Sequence, residues 1–251
     1  MDSVKLTFDA GISTITLNRP DRKNAMDSDL LNNLRSALAK ADERHSQVIV
    51  IRGSGKAFCA GGDLVEFSET ADPGRRIDEM ADCLHQSIML IRNTPAMVIA
   101  VVEGVAVGAG LGLSLACDLT LAARNAIMNI GYRRIGLTPD GGGSLFLPRL
   151  IGAKRFNELY LLSTNVTMTE ALALGLVNFV CDEDEIDSKL AEIEKNLLAL
   201  PLETIARMKN LVNHSMFHGL QEHLDMERLN VKQLAQQPLF KERLAGFFKR
   251  K

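Results

Sequence analysis

The stretch "GVAVGAGLGLSLACD", residues 104–118, decides how this chain is read. Its glycines fall where a buried strand, "AMVIAVVEG" (96–104), gives way to a short helix of small residues. Glycine lets the backbone come close to a ligand and leaves the N–H uncovered. A helix starting at that point adds a partial positive charge. A second stretch, "GKAFCAGGDL" (55–64), follows the strand "VIVIRG" (48–53) in the same way. Two such loops can aim two N–H groups at one oxygen. That is an oxyanion hole, in which each donor is worth about 3–4 kcal/mol to a transition state. Tight backbone packing is the alternative use for either loop. A dinucleotide site does not fit, because "GAGLG" lacks the G-x-G-x-x-G spacing and no acidic residue completes the motif about 20 residues on.

Outward from these loops the chain alternates strands and helices. "VKLTFDAG" and "ISTITLNR" read as a hairpin turning at Ala10-Gly11. Asp27 is placed to cap a helix whose Leu30, Leu31, Leu34, Ala37 and Leu38 share one face. A helix is expected over about Gly74–Arg92, a strand at "LTLAA", and a compact helix at "TEALALG" with Thr169 as cap and Gly175 as stop. From about Asp184 onward the leucine spacing is helical throughout. The fold class is therefore α/β with a helical C-terminal extension.

Composition narrows the function. The chain has 251 residues, 46% hydrophobic and 24% charged, with a formal net charge of −2. That is the profile of a globular protein with a substantial core. No basic excess is available for nucleic-acid phosphates or a membrane surface, apart from the ending "FFKRK". No transmembrane span or signal peptide is read, and a cytoplasmic location is expected. Cys59, Cys83, Cys117 and Cys181 form no C-x-x-C pair and read as reduced, buried thiols, with Cys59 as a candidate reactive thiol beside its loop.

Taken together, "LNRPDRKNAM" (17–26), both glycine loops, "GLTPDGGGSLFLPRLIG" (136–152), "ALALGLVNFV" (171–180) and "AGFFKR" (245–250) resemble the crotonase superfamily of enoyl-CoA hydratases and isomerases. The resemblance spans nearly the whole chain. It implies a crotonase-type spiral of repeated ββα units over residues 1–190, carrying the active site, and a helical oligomerisation region over 191–251. It also implies acyl-CoA thioester substrates, no separate cofactor, and a homotrimer or dimer of trimers.

Carried over residue by residue, the resemblance gives the oxyanion N–H groups to Ala60 and Ala109. Hydratases of the family use two glutamates to hold water; the matching positions here are Gly112 and Tyr132, neither of which is a carboxylate. What remains is Asp140, directly after Pro139, where some family isomerases place one acid. The subgroup most similar in pattern is the phenylacetate-pathway epoxide-to-oxepin CoA isomerases, which resemble Δ3,Δ2-enoyl-CoA isomerases. The expected reaction is an allylic shift by one proton-carrying carboxylate. A hydratase and a non-catalytic acyl-CoA-binding protein are the rival readings. Without the resemblance, Asp140 before a glycine run reads as a helix N-cap. Arg22, Lys23, Phe247 and Arg250 match positions that contact coenzyme A in relatives. Asp63 and Asp118 read as structural, and Glu66 and Glu103 match no catalytic position. His214 and His218, four apart on an expected helix, lack a third ligand, so no metal is expected.

Overall fold

The computed structural model describes residues 2–249. The chain opens with β1 (Val4–Asp9) and β2 (Ile12–Leu17), the expected hairpin about Ala10-Gly11, and then α1 (Ser28–Glu43). Asp27 caps α1 through Oδ1, which accepts the Leu30 N–H at 2.8 Å. There follow β3 (Val48–Gly53), α2 (Leu64–Glu69), α3 (Pro73–Asn93), β4 (Met97–Val102), β5 (Val105–Val107), α4 (Ala109–Ala116), β6 (Leu119–Ala123) and β7 (Ile127–Asn129). The last part holds α5 (Gly143–Leu162), β8 (Val166–Thr167), α6 (Met168–Ala173), β9 (Phe179–Cys181) and α7 (Ile186–Leu198). It ends with α8 (Leu202–Met216), α9 (Leu220–Ala235) and α10 (Pro238–Phe248).

Six strands form one sheet in the order β1-β2-β3-β4-β6-β9, antiparallel only at its first pair. Its central strands, β3 and β4, are buried along nearly their whole length because elements cover both faces. That accounts for their unbroken Val and Ile runs. A small second sheet, β5-β7-β8, stands beside it. This two-sheet arrangement with covering helices is the expected α/β class, with helices alone after β9. The helix α7 crosses position 190 and packs on the main sheet. No described helix is long and apolar enough to cross a membrane.

Two local expectations change. Thr167, not Thr169, caps α6, its hydroxyl accepting the Glu170 N–H; Thr169 already lies inside the helix. The helix carrying His214 stops at Met216, so His218 lies past its end and the two exposed histidines share no helical face.

Asp118 is structural, as expected, and joins α8 to the core. It accepts from the Val98 N–H (2.9 Å), Arg92 Nη1 (2.9 Å) and Lys209 Nζ (2.7 Å). All three side chains are buried. Burial pulls the Lys209 ammonium below its usual value, and Asp118 opposes the shift. Removing the one anion leaves two buried cations unbalanced. Asp118→Ala is expected to cost about 3–5 kcal/mol of folding stability in urea unfolding; a loss below about 1 kcal/mol, as for exposed pairs, would contradict this account.

Candidate active site

The first glycine loop is sewn to β5. Cys59 donates its N–H to the Val105 carbonyl (2.9 Å) and accepts the Val107 N–H (3.0 Å). At Gly61, with φ +94°, a Cβ would stand 2.8 Å from the Val107 carbonyl oxygen and 3.7 Å from the Ala109 nitrogen. Only glycine permits this approach. The two loops therefore meet where α4 begins.

Their uncommitted donors can be read from the hydrogen bonds. Ala60, the expected donor, gives its N–H to the Lys23 carbonyl at 3.0 Å, and Gly61 gives its N–H to Cys59 Sγ at 3.3 Å. The bridge between Met26 and Gly62 runs through Gly61 O and Asp63 N, so the Gly62 N–H faces away from Met26 and takes no described partner. The Ala60 N–H expected to be open is thus engaged, and the open N–H of this loop is that of Gly62. Ala109 is the first residue of α4, where the N–H has no carbonyl behind it in the helix.

Both donors border one cleft of about 930 Å³ of empty space, including its open mouth. Its walls are mainly apolar, among them Met26, Phe67, Met80, Leu84 and Leu137. Asp140 is the one acid among its described lining residues. The Asp140 side chain does not cap α5, since the residue in that place is Gly142, which has a left-handed backbone. Oδ1 of Asp140 instead accepts the Gly141 N–H (2.6 Å) and meets His85 Nε2 at 2.5 Å. That leaves Oδ2 for the cleft.

His85, from α3, stands behind Asp140 rather than in the cleft wall, and its Nδ1 is buried without a partner. Burial alone would draw its imidazole down, but Asp140 and, further off, Glu227 hold it above its usual value. Glu227, from α9, is also buried. It accepts from the Gly142 N–H (2.7 Å), the Ser144 N–H (2.9 Å) and the Ser144 hydroxyl (2.5 Å). Burial, with the charge of Asp140, pushes Glu227 up to about 7. One polar atom from each of His85, Asp140 and Glu227 lies within 4.8 Å of the others. The cluster suits a shared proton better than an ion: two ligands of one zinc, each about 2.1 Å from it, stand about 3.4 Å apart, well beyond the 2.5 Å between His85 and Asp140.

Sequence reading missed His85 and Glu227. Each carried one signal, a polar residue on an otherwise apolar helical stripe: Ala81, His85, Ile88 in α3 and Leu224, Glu227, Val231 in α9. Tyr132 lines the cleft, and its buried hydroxyl has no partner of good geometry.

The remaining expectations fall as follows. Arg22 and Lys23 are exposed, and Arg22 borders a separate polar cleft with Arg19, Glu66 and Arg76. Phe247 reaches the Asp140 cleft from α10 of the same chain. Arg250 lies outside the described residues. Asp63 is structural, accepting the Val65 N–H and pairing with Arg19. Glu66 binds Ser28 and Glu103 pairs with Arg52, both away from Asp140. Burial pushes the Cys59 thiol up to about 12, which removes it as a reactive nucleophile.

The family model for enoyl-CoA hydratase/isomerase matches residues 7–251. The chain is 33% identical over 242 residues to 4-chlorobenzoyl coenzyme A dehalogenase-2 of an Arthrobacter species, covering 94% of this chain and 87% of that one. It is 29% identical to the 1,2-epoxyphenylacetyl-CoA isomerase of Escherichia coli, covering 91% and 88%. A crystal structure of an enoyl-CoA hydratase from Bacillus halodurans superposes with a TM-score of 0.91 at 28% identity, covering 97% and 99%. With the loops, the cleft and the acid in place, the chain belongs to the enoyl-CoA hydratase/isomerase family, an enzyme family of the crotonase fold acting on acyl-CoA thioesters.

Proposed function

We propose that this enzyme is an acyl-CoA isomerase that moves a double bond by proton transfer, with Asp140 as the proton carrier. The observation that carries the reading is the position of Asp140: a buried carboxylate, the one acid among the described lining residues, in the cleft that also holds the Gly62 and Ala109 N–H groups. In a 3-enoyl thioester, Asp140 takes the proton from C2. The C2–H electron pair forms the C2–C3 double bond as charge passes through the thioester oxygen, where the two N–H groups stabilise it. The C3–C4 π pair then takes the proton at C4, and Asp140 is free again. No cofactor enters this scheme, because the thioester is the substrate.

Two features favour this over hydration. The position where hydratases carry their first glutamate is Gly112, and a Cβ there would stand 2.4 Å from the Gly141 carbonyl oxygen. The Asp140 turn occupies the space such a side chain needs. The second position holds Tyr132, whose phenol burial pushes well above its usual range, so it offers no base.

A second reading rests on the Asp140–His85 pair and on the dehalogenase relative. Asp140 would then be a nucleophile that displaces a leaving group from an aryl thioester, forming an ester that water hydrolyses. Chloride release from a chlorinated aryl-CoA ester, with a protein arylated at Asp140 trapped by mass spectrometry, would favour it; neither is expected of an isomerase.

Arg22, Lys23, Phe247 and Arg250 remain proposed contacts for coenzyme A. Assembly into trimers, through the C-terminal helices, is part of the same proposal and draws support from exposed apolar side chains such as Leu211 (71%) and Met226 (60%).

Asp140→Asn keeps an acceptor for the Gly141 N–H but removes the base. It is expected to lower turnover of 3-enoyl-CoA esters about 10²- to 10⁴-fold while leaving acyl-CoA affinity, read by calorimetry, within a few-fold. Turnover near the wild-type value would remove the assigned role. Gly112→Ala is expected to push the Asp140 turn outward, costing about 1–3 kcal/mol by overpacking and lowering isomerisation. Gly112→Glu is expected to give no hydratase activity, measured as loss of 2-enoyl thioester absorbance.

A further inference from the structure

Glu227 has no part in the scheme above, yet it is the most heavily engaged buried acid near Asp140. It comes from α9, 87 residues further along the chain, and does not line the acyl cleft. Its two oxygens take the main-chain N–H groups of Gly142 and Ser144, which belong to the turn that carries Asp140. On its far side it borders a second cavity, with Thr138, Ser144, Phe156 and His223. The Ser144 hydroxyl bonds both Glu227 Oε1 (2.5 Å) and His223 Nε2 (2.8 Å), and His223 is partly exposed.

We propose that Glu227 is a positioning residue of the Asp140 site: it clamps the turn through two main-chain N–H groups, holds a second negative charge behind the Asp140–His85 pair, and exchanges its proton through Ser144 and His223 with the outer cavity. The inference rests on the isomerase reading for its kinetic consequence but not for its electrostatic one.

The surroundings specify the charges that matter. From α3, Glu227 faces His85, while Asp78 and Asp82 on the same helix are taken up by Arg228. Lys232 also pairs with Asp78. From the turn and the residues before it come Asp140 and Tyr132. From α5 come Ser144 and, acting on His223, Arg149. α9 itself adds His223 and Arg228. α10 buries only Phe240 and Leu244, its Lys241, Glu242 and Arg243 being exposed. Within this set His85 is the cation that a charged Glu227 can balance. An imidazolium hydrogen-bonded to Asp140 weakens the pull of that carboxylate on a substrate proton. A second carboxylate behind the imidazole restores it. Burial places the Glu227 midpoint at about 7, so the charge is present above neutrality and lost as pH falls through it.

The test compares Glu227→Gln and Glu227→Asp with the wild type. In the wild type, kcat for 3-enoyl-CoA should fall as pH drops through about 7. The same limb should appear in kcat/KM, because the outer cavity stays open when substrate fills the cleft. Glu227→Gln removes the charge: the limb should move down by about one pH unit or more, and kcat above it should drop about tenfold with KM unchanged. Glu227→Asp keeps the charge but shortens the clamp, so kcat should fall with the limb retained. A readout independent of turnover is the His85 ring titration by NMR, whose midpoint should move down in Glu227→Gln and stay in Glu227→Asp. A limb and a His85 midpoint unmoved in Glu227→Gln, with losses matching its change in melting temperature, would leave Glu227 a structural residue and overturn the proposal. If no acyl-CoA ester is isomerised, the isomerase reading fails by itself and the His85 titration still decides the role of Glu227.

Discussion

Cys59 gives its N–H to Val105 and takes that of Val107, and the meeting of the two glycine loops at the cleft rests on this short parallel bridge. It ties the first loop to β5, and β5 runs directly into α4. A Cβ on Gly110 would lie 2.5 Å from the Cys59 carbonyl oxygen, and one on Gly112 would lie 2.4 Å from that of Gly141. Loop, helix and Asp140 turn are thus stacked main chain against main chain. A site built this way places N–H groups without relying on flexible side chains, and it tolerates almost no substitution at its contact points. Glycine richness here is a packing requirement and a chemical one at once.

Behind this main-chain layer lies a polar one. His85 and Glu227 come from α3 and α9, which pack against each other over much of their length. Their apolar stripes bury one polar side chain each at the level of Asp140. Burying an imidazole and a carboxyl in an apolar interface is costly unless each is satisfied. The partners they find are Asp140 and the N–H groups of its own turn, with Nδ1 of His85 left without one. The helical extension after β9 therefore does more than pack the sheet, because α9 completes the surroundings of the acid and α10 brings Phe247 to its cleft.

Much of this was legible in the sequence, for identifiable reasons. The strand runs, the Asp27 cap and the order of the loops are local properties, and local patterns report them. Asp140 could be singled out because proline and glycine isolate it in a turn. Which N–H of the first loop is free was not legible: the choice between Ala60 and Gly62 depends on carbonyls of Lys23 and Met26, far back in the chain. The ending of α8 before His218 hid for a similar reason, since the helix stops at Met216 and the ring of the next residue, Phe217, packs edge-on against Phe146. His85 and Glu227 each gave a faint signal on an amphipathic face, but nothing in the spacing says that two stripes on distant helices meet at one carboxylate.

The sequence alternative for Asp140, a helix cap, clarifies the arrangement that exists. The first N–H groups of α5 do need acceptors, and an aspartate just before the helix is the usual supplier. Here Glu227 does that work from another helix, taking the Ser144 N–H in the first turn together with that of Gly142 just before it. Had Asp140 been the cap, its oxygens would be committed to the helix and turned from the cleft. With capping assigned to Glu227, Asp140 needs only Oδ1 to hold itself to Gly141 and His85, and Oδ2 keeps no described partner beside the cleft. The division has an electrostatic consequence as well. The acid that caps the helix stands next to Asp140, and the charge of Asp140 adds to the burial that pushes Glu227 up. Fixing the shape of the turn and setting its charge are, in this site, one constraint.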